Sequence, residues 1–366
     1  MKKYAFNEIT LMQYIFLNSG IQISVTFLSL PRKLAEQAGT DGWIALLLGW
    51  ILSLAASLIL IQVMKRYPDD TLLDLLTSLS GKWIGRMAAI LLTLYFLFFG
   101  YEGIVRAILV IKIWVLPQTP NYLIMIILLI PAYLIARNGF TVLGRYGELV
   151  ILISLWIPFI YLAPIKEAHW LHLLPVLKEG WMPILSALPA TIYSFVGFAS
   201  TFILYPFLRN KRRAALGVVV FNTMSLLTYL FITAACFVYF SPDEISEYNE
   251  PVITYLKAIE FRFIERIEIL FITFYLFIFS LAWIPAFSIS AFCTNWLVGR
   301  KDSRGTMLLL CGILVMTTYF FMPSYRQSEE MKSILSKAGL GVEYILPACL
   351  LVYIWIHDRF LRRKAL

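Results

Sequence analysis

The chain contains the run Asn18-Ser19-Gly20-Ile21-Gln22-Ile23-Ser24-Val25-Thr26 and, in its second half, the run Ser194-Phe195-Val196-Gly197-Phe198-Ala199-Ser200-Thr201. Both runs interrupt, near its middle, an apolar segment that is long enough to cross a bilayer, over residues 9–31 and 182–207. Each of these segments opens a block of five apolar segments. Two interrupted spans at corresponding places predict a transporter-like architecture with a ligand site near the middle of the membrane.

The composition is that of a membrane protein. Of the 366 residues, 60% are hydrophobic and 14% are charged, whereas about a quarter of residues are charged in soluble domains. Inside a bilayer, a long apolar run satisfies its own backbone hydrogen bonds by forming a helix. The sequence therefore predicts an all-α polytopic membrane protein with ten spans, at about residues 9–31, 42–63, 85–115, 121–137, 144–164, 182–207, 214–240, 266–296, 305–322 and 340–357.

Lysine and arginine set the expected orientation. With the N-terminus inside, about twice as many of them fall at cytoplasmic ends and loops as at outer ones, so both termini are predicted to be cytoplasmic. The net charge of +9 then follows from this bias and from attraction to anionic membrane lipid, and no nucleic acid partner is expected. Met1-Lys2-Lys3 precedes a segment too long for a signal peptide, so no cleaved signal is expected.

The order of spans predicts an internal repeat within a single transmembrane domain, residues 1–366. Five spans lie in residues 1–165 and five in residues 180–366, and the polar outer stretch 166–179 connects them. Because five is odd, the second half starts from the opposite face of the membrane, which makes the repeat inverted. The alternative is a generic helix bundle in which glycine and serine only allow helices to pack closely.

Neither catalysis nor metal binding is predicted. The sequence has no nucleophile–base spacing and no phosphate-binding loop, and its three scattered histidines are too few for a metal site. The protein is therefore not expected to be an enzyme, and no cofactor is predicted.

Ionisable residues inside spans are candidates for function. Glu102 and Arg106 lie four residues apart on the third span, a spacing that favours an ion pair on a helix. This pair is interpreted either as a gate or ligand contact, or as a structural pair that faces the interior of the bundle. Glu148 and Glu343 lie near predicted span ends and are expected to be satisfied at the membrane surface. No span centre carries an acid cluster or a lone buried Lys of the kind that takes a proton in coupled transporters, which weakens the case for proton-coupled transport.

The interrupted spans themselves predict the ligand site. Unwound backbone leaves free N–H and C=O groups that can bind the two charged ends of a zwitterion, so an amino acid is the expected ligand. Small residues such as Ser24, Thr26 and Gly197 would let a ligand approach this backbone. The aromatic residues that could form the pocket walls are Tyr95, Phe99, Phe198 and Tyr275. The alternative for each aromatic residue is ordinary packing against lipid or core.

Several short strings occur in a distinctive order along the chain. They are Leu30-Pro31-Arg32-Lys33-Leu34-Ala35, Asp41-Gly42-Trp43, Gly81-Lys82-Trp83-Ile84-Gly85, Glu179-Gly180-Trp181-Met182-Pro183-Ile184, Ser194-Phe195-Val196-Gly197-Phe198, Tyr205-Pro206 and Phe263-Ile264-Glu265-Arg266-Ile267-Glu268. Over essentially the whole chain, their joint order resembles the B subunits of spore germination receptors. These are the GerAB-type members of the amino acid–polyamine–organocation superfamily.

The resemblance implies a LeuT-like fold, a five-plus-five inverted repeat in which helices 1 and 6 are broken. Counting back from Pro31, it places the break of the first span at Ser24-Val25-Thr26 rather than at Gly20, although this chain has no glycine there. In the sixth span many relatives carry an acid where this chain has Ala199. The role of that acid therefore does not carry over.

The resemblance also implies a set of site residues. Positions that match ligand-pocket sites in relatives are Ser24, Tyr95, Phe99, Val196, Gly197, Phe198 and Ala282. Four further residues complete the predicted ligand-binding set. Val25, Thr26 and Ala199 belong to the two breaks, and Tyr275 belongs to the aromatic walls.

By resemblance, the chain would be a nutrient sensor in the inner membrane of a bacterial spore, or in the cell membrane. It would bind a small germinant, with an amino acid as the expected ligand, and act with an A subunit and a lipoprotein C subunit. One alternative is an amino acid permease of the same fold, proton-coupled or uncoupled. Another is a scaffold subunit that binds no ligand, which the missing acid at Ala199 favours.

Overall fold

A computed structural model describes residues 7–241, 243–259, 266–300 and 302–364. This part of the chain is mostly helical, and its one isolated extended contact is a parallel bridge between Ile9 and Leu208. The prediction of an all-α protein is confirmed. Lys2, Lys3 and the first part of the run at residues 263–268 lie outside the described residues.

The helices follow the predicted order of apolar segments. Those of the first half are α1 (Leu11–Thr26), α2 (Leu30–Ala38), α3 (Gly42–Arg66), α4 (Leu72–Ser80), α5 (Lys82–Trp114), α6 (Asn121–Ala136), α7 (Phe140–Ser154) and α8 (Ile157–Ile160). Those of the second half are α9 (Trp181–Ser186), α10 (Leu188–Ser194), α11 (Thr201–Leu204), α12 (Ala214–Tyr239), α13 (Glu244–Glu247), α14 (Pro251–Leu256), α15 (Ile267–Val298), α16 (Arg304–Phe320), α17 (Tyr325–Gly339) and α18 (Leu346–Lys364). A π-helical stretch, Leu340–Ile345, joins α17 to α18.

These helices form ten spans. In the described chain, six helical stretches can each cross a membrane by length and composition, and the bent pair Trp181–Ser194 and Phe198–Phe207 makes a seventh. The remaining spans are built on shorter helices. The apolar helices α6 and α16 have 16 and 17 residues, and α1, with 16 residues, precedes the stretch Leu30–Arg66, which contains both α2 and α3. In chain order, spans one to ten are α1–α2, α3, α5, α6, α7–α8, α9–α11, α12, α15, α16 and α17–α18.

The longest helix of each half occupies the same place in its block of five. These helices are α5, with 33 residues, and α15, with 32. They are the third span of each half, and they pack along each other, while α1 packs against α7, α12 and α15. A broken first span and a long third span in both halves fit a five-plus-five repeat. The exact repeat boundaries, 1–165 and 180–366, stay predictions.

The break in span one lies three residues later than predicted. Ser24, Val25 and Thr26 are still helical, and the turn at residues 27–29 separates α1 from α2. Pro31 explains this position, because it has no N–H to donate to the carbonyl of Phe27 and its ring conflicts with a helical carbonyl four residues earlier. The prediction of an unwound stretch at residues 24–26 is therefore wrong.

Span six breaks at Gly197, as predicted. Helix α10 ends at Ser194, the φ angle of Gly197 is +126°, and the two parts of the span are inclined by 41°. Residues with a side chain rarely adopt this φ. In addition, a Cβ at position 197 would lie 2.5 Å from Cγ2 of Ile21. Glycine therefore permits both the turn and the close approach of span one.

Span ten begins at Tyr325, not at residue 340 as predicted. Ser324 starts the helix, because its hydroxyl accepts a hydrogen bond from the Gln327 N–H at 3.3 Å and its own N–H donates to the Gln327 side chain at 2.8 Å. This earlier start places Glu343 near the middle of the span, where it is fully buried. The prediction that Glu343 is satisfied at the membrane surface is therefore wrong.

Candidate ligand site at the broken helices

Polar side chains join spans one and six beside the break in span six. Nε2 of Gln22 donates to the Phe195 carbonyl at 2.8 Å, and Oγ1 of Thr26 donates to Oγ of Ser194, also at 2.8 Å. A break frees backbone groups that would otherwise bond within the helix, and buried groups of this kind require partners. Span one supplies such a partner to the carbonyl of Phe195.

A second pair of hydrogen bonds joins the two spans on the other side of this break. The hydroxyls of Tyr14 and Thr201 lie 2.7 Å apart, and Oγ of Ser200 donates to Oδ1 of Asn18 at 2.5 Å. Spans one and six are thus joined on both sides of Gly197, so a movement of one is transmitted to the other.

Tyr229→Phe is expected to lower the stability of the protein by about 1–3 kcal/mol. The Tyr229 hydroxyl is buried on α12, 2.6 Å from the Gln22 carbonyl and 3.0 Å from the Ser194 carbonyl. Phenylalanine would leave these buried carbonyl groups with one donor fewer. Chemical denaturation of the purified protein in detergent measures the change. Tyr319→Phe, at a side chain that is 63% exposed, is the matched control, and an equal loss in both variants would contradict this account.

A small cavity lies at the centre of the bundle, between spans one, three, six, eight and ten. Its volume is about 10 Å³, which is about the space that one water molecule needs. An organic ligand would therefore require the surrounding helices to separate. The cavity is lined by Ile21, Tyr95, Phe96, Phe99, Gly197, Ala282, Pro285, Ala286, Ile289 and Glu343.

Glu343 is the only residue with a charged side chain among the described residues that line this cavity. The Gly197 N–H lies 2.9 Å and 2.8 Å from its two carboxylate oxygens, and the Tyr95 hydroxyl donates to it at 2.8 Å. Glu343 therefore ties span ten to span three and to the break in span six. It also satisfies the backbone N–H that the turn at Gly197 frees.

The local structure of span ten brings Glu343 to this break. Glu343 lies in the π-helical stretch Leu340–Ile345, and such stretches inside α-helices are frequent at functional sites. A Cβ added to Gly339 would lie 2.9 Å from Cγ2 of Val196. Glycine at this position therefore lets the backbone of span ten approach span six closely enough for Glu343 to reach Gly197.

Seven of the predicted ligand residues lie in or around the cavity. Its lining includes Tyr95, Phe99, Gly197 and Ala282. The three remaining residues from span six are fully buried in or beside the break and do not line the cavity; they are Val196, Phe198 and Ala199.

The other four predicted residues also lie outside the cavity lining. The Ser24 hydroxyl donates to the Ile21 carbonyl of its own helix at 2.7 Å, and Thr26 bonds to Ser194 as described above. Val25 is buried in the core. The ring of Tyr275 stacks on that of Phe27 with 5.4 Å between centroids. Because α1 stays helical through Thr26, the backbone N–H groups of Ser24, Val25 and Thr26 are used within the helix.

A polar network around the buried Arg106 lies beyond the cavity toward the C-terminal end of α5, and its other members are Lys33, Glu250, Tyr325 and Glu329. Arg106, which is 2% exposed, contacts Glu250 at 2.5 Å and Glu329 at 2.9 Å, and it also contacts the Tyr325 hydroxyl. Lys33 on α2 lies 3.3 Å from Glu329. The network thus connects spans one, three and ten with the segment before α14, and closes this end of the bundle.

The predicted ion pair between Glu102 and Arg106 does not form. The carboxylate of Glu102 accepts a hydrogen bond from Ser328 at 3.2 Å, whereas both salt bridges of Arg106 go to acids from other segments. The guanidinium group has several donors in a fixed plane and can satisfy two acids at once. Arg106 therefore pairs with Glu250 and Glu329 from other segments instead of with Glu102 on its own helix.

The opposite end of span one is attached to the end of span six. The Ile9 N–H donates to the Phe207 carbonyl at 2.9 Å, and the Arg209 N–H donates to the Ile9 carbonyl at 3.0 Å. A larger cavity of about 540 Å³ lies beside this attachment and is lined by Asn7, Ala136, Gly139, Phe140, Phe207, Ser288, Phe292, Asn295, Trp296, Arg300 and Ser303. Along span one, the small cavity thus lies between this attachment and the polar network.

Known proteins resemble the chain over most of its length. A family model described as spore germination protein matches residues 8–328. Spore germination protein GerQB of Bacillus cereus is 25% identical over 262 residues, which cover 72% of each chain. Spore germination protein A2 of Bacillus subtilis strain 168 is 27% identical over 329 residues, which cover 86% of this chain and 85% of that protein.

A solved structure identifies the fold. The structure of Mhp1, a nucleobase-cation-symport-1 family transporter in a closed conformation with bromovinylhydantoin bound, matches this chain with a TM-score of 0.68 at 13% sequence identity. The match covers 96% of this chain and 79% of Mhp1, which has the LeuT fold. The predicted five-plus-five inverted repeat, with broken spans one and six, is therefore confirmed.

Proposed function

Because the chain belongs to the spore germination protein family and is an integral membrane protein with a transporter fold, we propose that it is the nutrient-sensing membrane subunit of a bacterial spore germination receptor. A small nutrient, with an amino acid as the expected ligand, would bind at the cavity beside the break in span six. The observation that carries this proposal is the position of the cavity, which contacts this break, the middle of span one and three further spans.

Ligand binding would act by shifting the balance between a closed and a more open arrangement of the bundle. The small volume of the cavity means that a ligand must separate the helices around it. A ligand can do so only through a higher affinity for the open arrangement. Because spans one and six are joined by hydrogen bonds, their movement would carry the signal, and the polar network around Arg106 would have to rearrange for a ligand to enter from that end.

The cellular context follows from the family and from the charge pattern. We place the protein in the inner membrane of the spore, with both termini in the cytoplasm, and assign receptor A and C subunits as its partners. The relatives named as spore germination proteins support the spore membrane. The excess of Lys and Arg at the predicted cytoplasmic ends supports the orientation.

Glu343 favours a second candidate function, an amino acid permease. A buried acid in the middle of a span is typical of proton pathways in transporters. The sequence has no acid cluster at a span centre, but this lone buried acid supports proton coupling. A scaffold that binds no ligand is correspondingly less favoured. This chain has no carboxylate at position 199, but Glu343 supplies one that bonds to the N–H of Gly197, two residues before Ala199.

Spores that carry this receptor as their only germinant receptor are expected to germinate in response to amino acids from a panel of amino acids and sugars. The fall in optical density of the spore suspension measures the response. In proteoliposomes, saturable binding of a labelled amino acid without uptake would identify a sensor, whereas uptake would identify a permease. If no compound binds or triggers germination although the receptor complex assembles, the sensing function is contradicted and a scaffold remains.

A further inference from the structure

Glu343 has a chemistry that the proposed function does not yet use. Its carboxylate is fully buried at the cavity, and its hydrogen bonds come from Tyr95 and from the backbone of Gly197. In the described part of the chain, no salt bridge involves Glu343, and no other residue of the cavity lining is charged. The cavity therefore contains an acid whose charge no basic side chain neutralises.

The hydrogen bonds indicate which form of this carboxyl group fits. The backbone N–H of Gly197 can only donate, and it lies within hydrogen-bond distance of both oxygens of Glu343. This arrangement suits the ionised carboxylate, which accepts hydrogen bonds with both oxygens. A buried carboxylate without a cationic partner carries a cost in free energy. A cation in the cavity would remove part of that cost.

The walls of the cavity suit an organic cation better than a metal ion. Tyr95 packs against Phe96 and Phe99, with ring centroids 5.3 Å and 6.4 Å apart. Aromatic rings attract ammonium groups and are the usual walls of sites that bind organic cations. A metal ion such as Ca²⁺ or Mg²⁺ would need about six or more oxygen ligands. The lining offers few oxygens besides those of Glu343, since its other side chains are mostly apolar.

The same geometry disfavours a ligand carboxylate at the break in span six. The Gly197 N–H that could bind such a group is already bonded to Glu343. A second carboxylate at this place would lie beside a like charge in a medium of low dielectric constant, where repulsion is strong. At Gly197 the break therefore offers a negative charge to a ligand instead of a free donor.

We propose that the ligand of this site carries an organic ammonium group that pairs with Glu343 between the aromatic walls formed by Tyr95 and Phe99. Any carboxylate on the ligand lies away from the break in span six. This inference rests on the proposed function, because it names the chemical group that the sensing site recognises. The recognised class is primary amines, of which amino acids are one kind.

Matched compounds test this inference. Alanine carries both charged groups, ethylamine is alanine without the carboxylate, and propionate is alanine without the ammonium. Leucine, 3-methylbutylamine and 4-methylpentanoate repeat this comparison at larger size. Binding to the purified full-length protein in lipid nanodiscs is measured by calorimetry. The amino acid and the amine of a series are expected to bind, and the acid is not.

Variants at Glu343 show whether this residue carries the preference. Glu343→Gln keeps the size of the side chain and one accepting oxygen, and it is expected to weaken amine binding by about 10- to 100-fold. Glu343→Asp keeps the charge and is expected to restore part of the affinity. The matched control is Glu148→Gln on α7, where the acid bonds to Gln13 at 3.2 Å, and this variant should bind like the wild type.

Either of two results would overturn the inference and leave the proposed function intact. One is that propionate or 4-methylpentanoate binds as tightly as the corresponding amine, and the other is that Glu343→Gln does not change the affinity for amines. If none of the six compounds binds the wild-type protein, the inference that this site recognises primary amines as a class is overturned, whereas the proposed function is decided separately by the germination panel. Should Glu343→Gln fail to fold, the comparison of amines with acids on the wild-type protein and the Glu343→Asp variant still decide the question.

Discussion

Gly197→Ala is expected to abolish the response to ligand while leaving a folded protein in the membrane. The φ of +126° at this position costs a residue with a side chain about 1–3 kcal/mol. The new Cβ would also lie 2.5 Å from Cγ2 of Ile21, a β-branched residue that is held in one rotamer within a helix. The turn must shift to relieve this contact, and the N–H of residue 197 would then no longer point at Glu343.

Binding and melting temperature together test this prediction. We expect ligand affinity to fall at least about tenfold, which corresponds to about 1.4 kcal/mol, and the melting temperature to fall while the protein remains folded. Gly312→Ala on α16 is the matched control, because its added Cβ meets no atom within 4 Å. This control should bind ligand normally and gain slightly in helix stability. Unchanged binding by Gly197→Ala would place the ligand site elsewhere.

Arg106→Met is expected to destabilise the protein by about 3–5 kcal/mol. Methionine removes the charge that neutralises Glu250, a residue that is 6% exposed and whose Oε2 has no hydrogen-bond partner in the described structure. Breaking a buried pair in this way leaves an uncompensated charge, which costs more than the pair itself contributes. Glu329 and Tyr325 would lose the same partner, so the closure at this end of the bundle would loosen.

A second substitution separates the loss of charge from the loss of packing. Arg106→Met combined with Glu250→Gln should recover part of the stability, because no uncompensated carboxylate then remains at position 250. Arg326→Met is the matched control, since Arg326 and Glu330 form a pair with both side chains exposed, by 90% and 63%, and such pairs contribute little. Chemical denaturation in detergent measures all three variants. If the double variant is no more stable than Arg106→Met, the buried charge is not the cause.

Most of the fold could be predicted from local sequence patterns. Long apolar runs locate nine of the ten spans to within a few residues, and Gly197 locates the break in span six. The break in span one lies three residues beyond the stretch that the resemblance predicts, and Pro31 is the local signal for its actual position. A proline acts on the carbonyl four residues before it, so the physical rule points to Phe27 more directly than the resemblance to relatives does.

The main residue that sequence reasoning missed at the candidate site is Glu343. The run Ser324-Tyr325-Arg326-Gln327 has the spacing of a capping box, which predicts a helix start at this point. A helix from Tyr325 onward places Glu343 at the centre of span ten instead of near its end. The charged residues of α17 lower the mean hydropathy of residues 325–339, so hydropathy alone does not identify this segment as part of a span.

The sequence by itself determined where this chain is helical, where it crosses the membrane and where span six must break. These features depend on hydropathy and on the backbone limits of single residues, both of which act over a few positions. Only the tertiary structure decided the partners of the buried charges. Arg106 pairs with Glu250, 144 residues away, and Glu343 meets the N–H of Gly197, 146 residues away. A buried charge bonds to whichever groups the packed helices bring within about 3 Å, and no local pattern specifies which helices pack together.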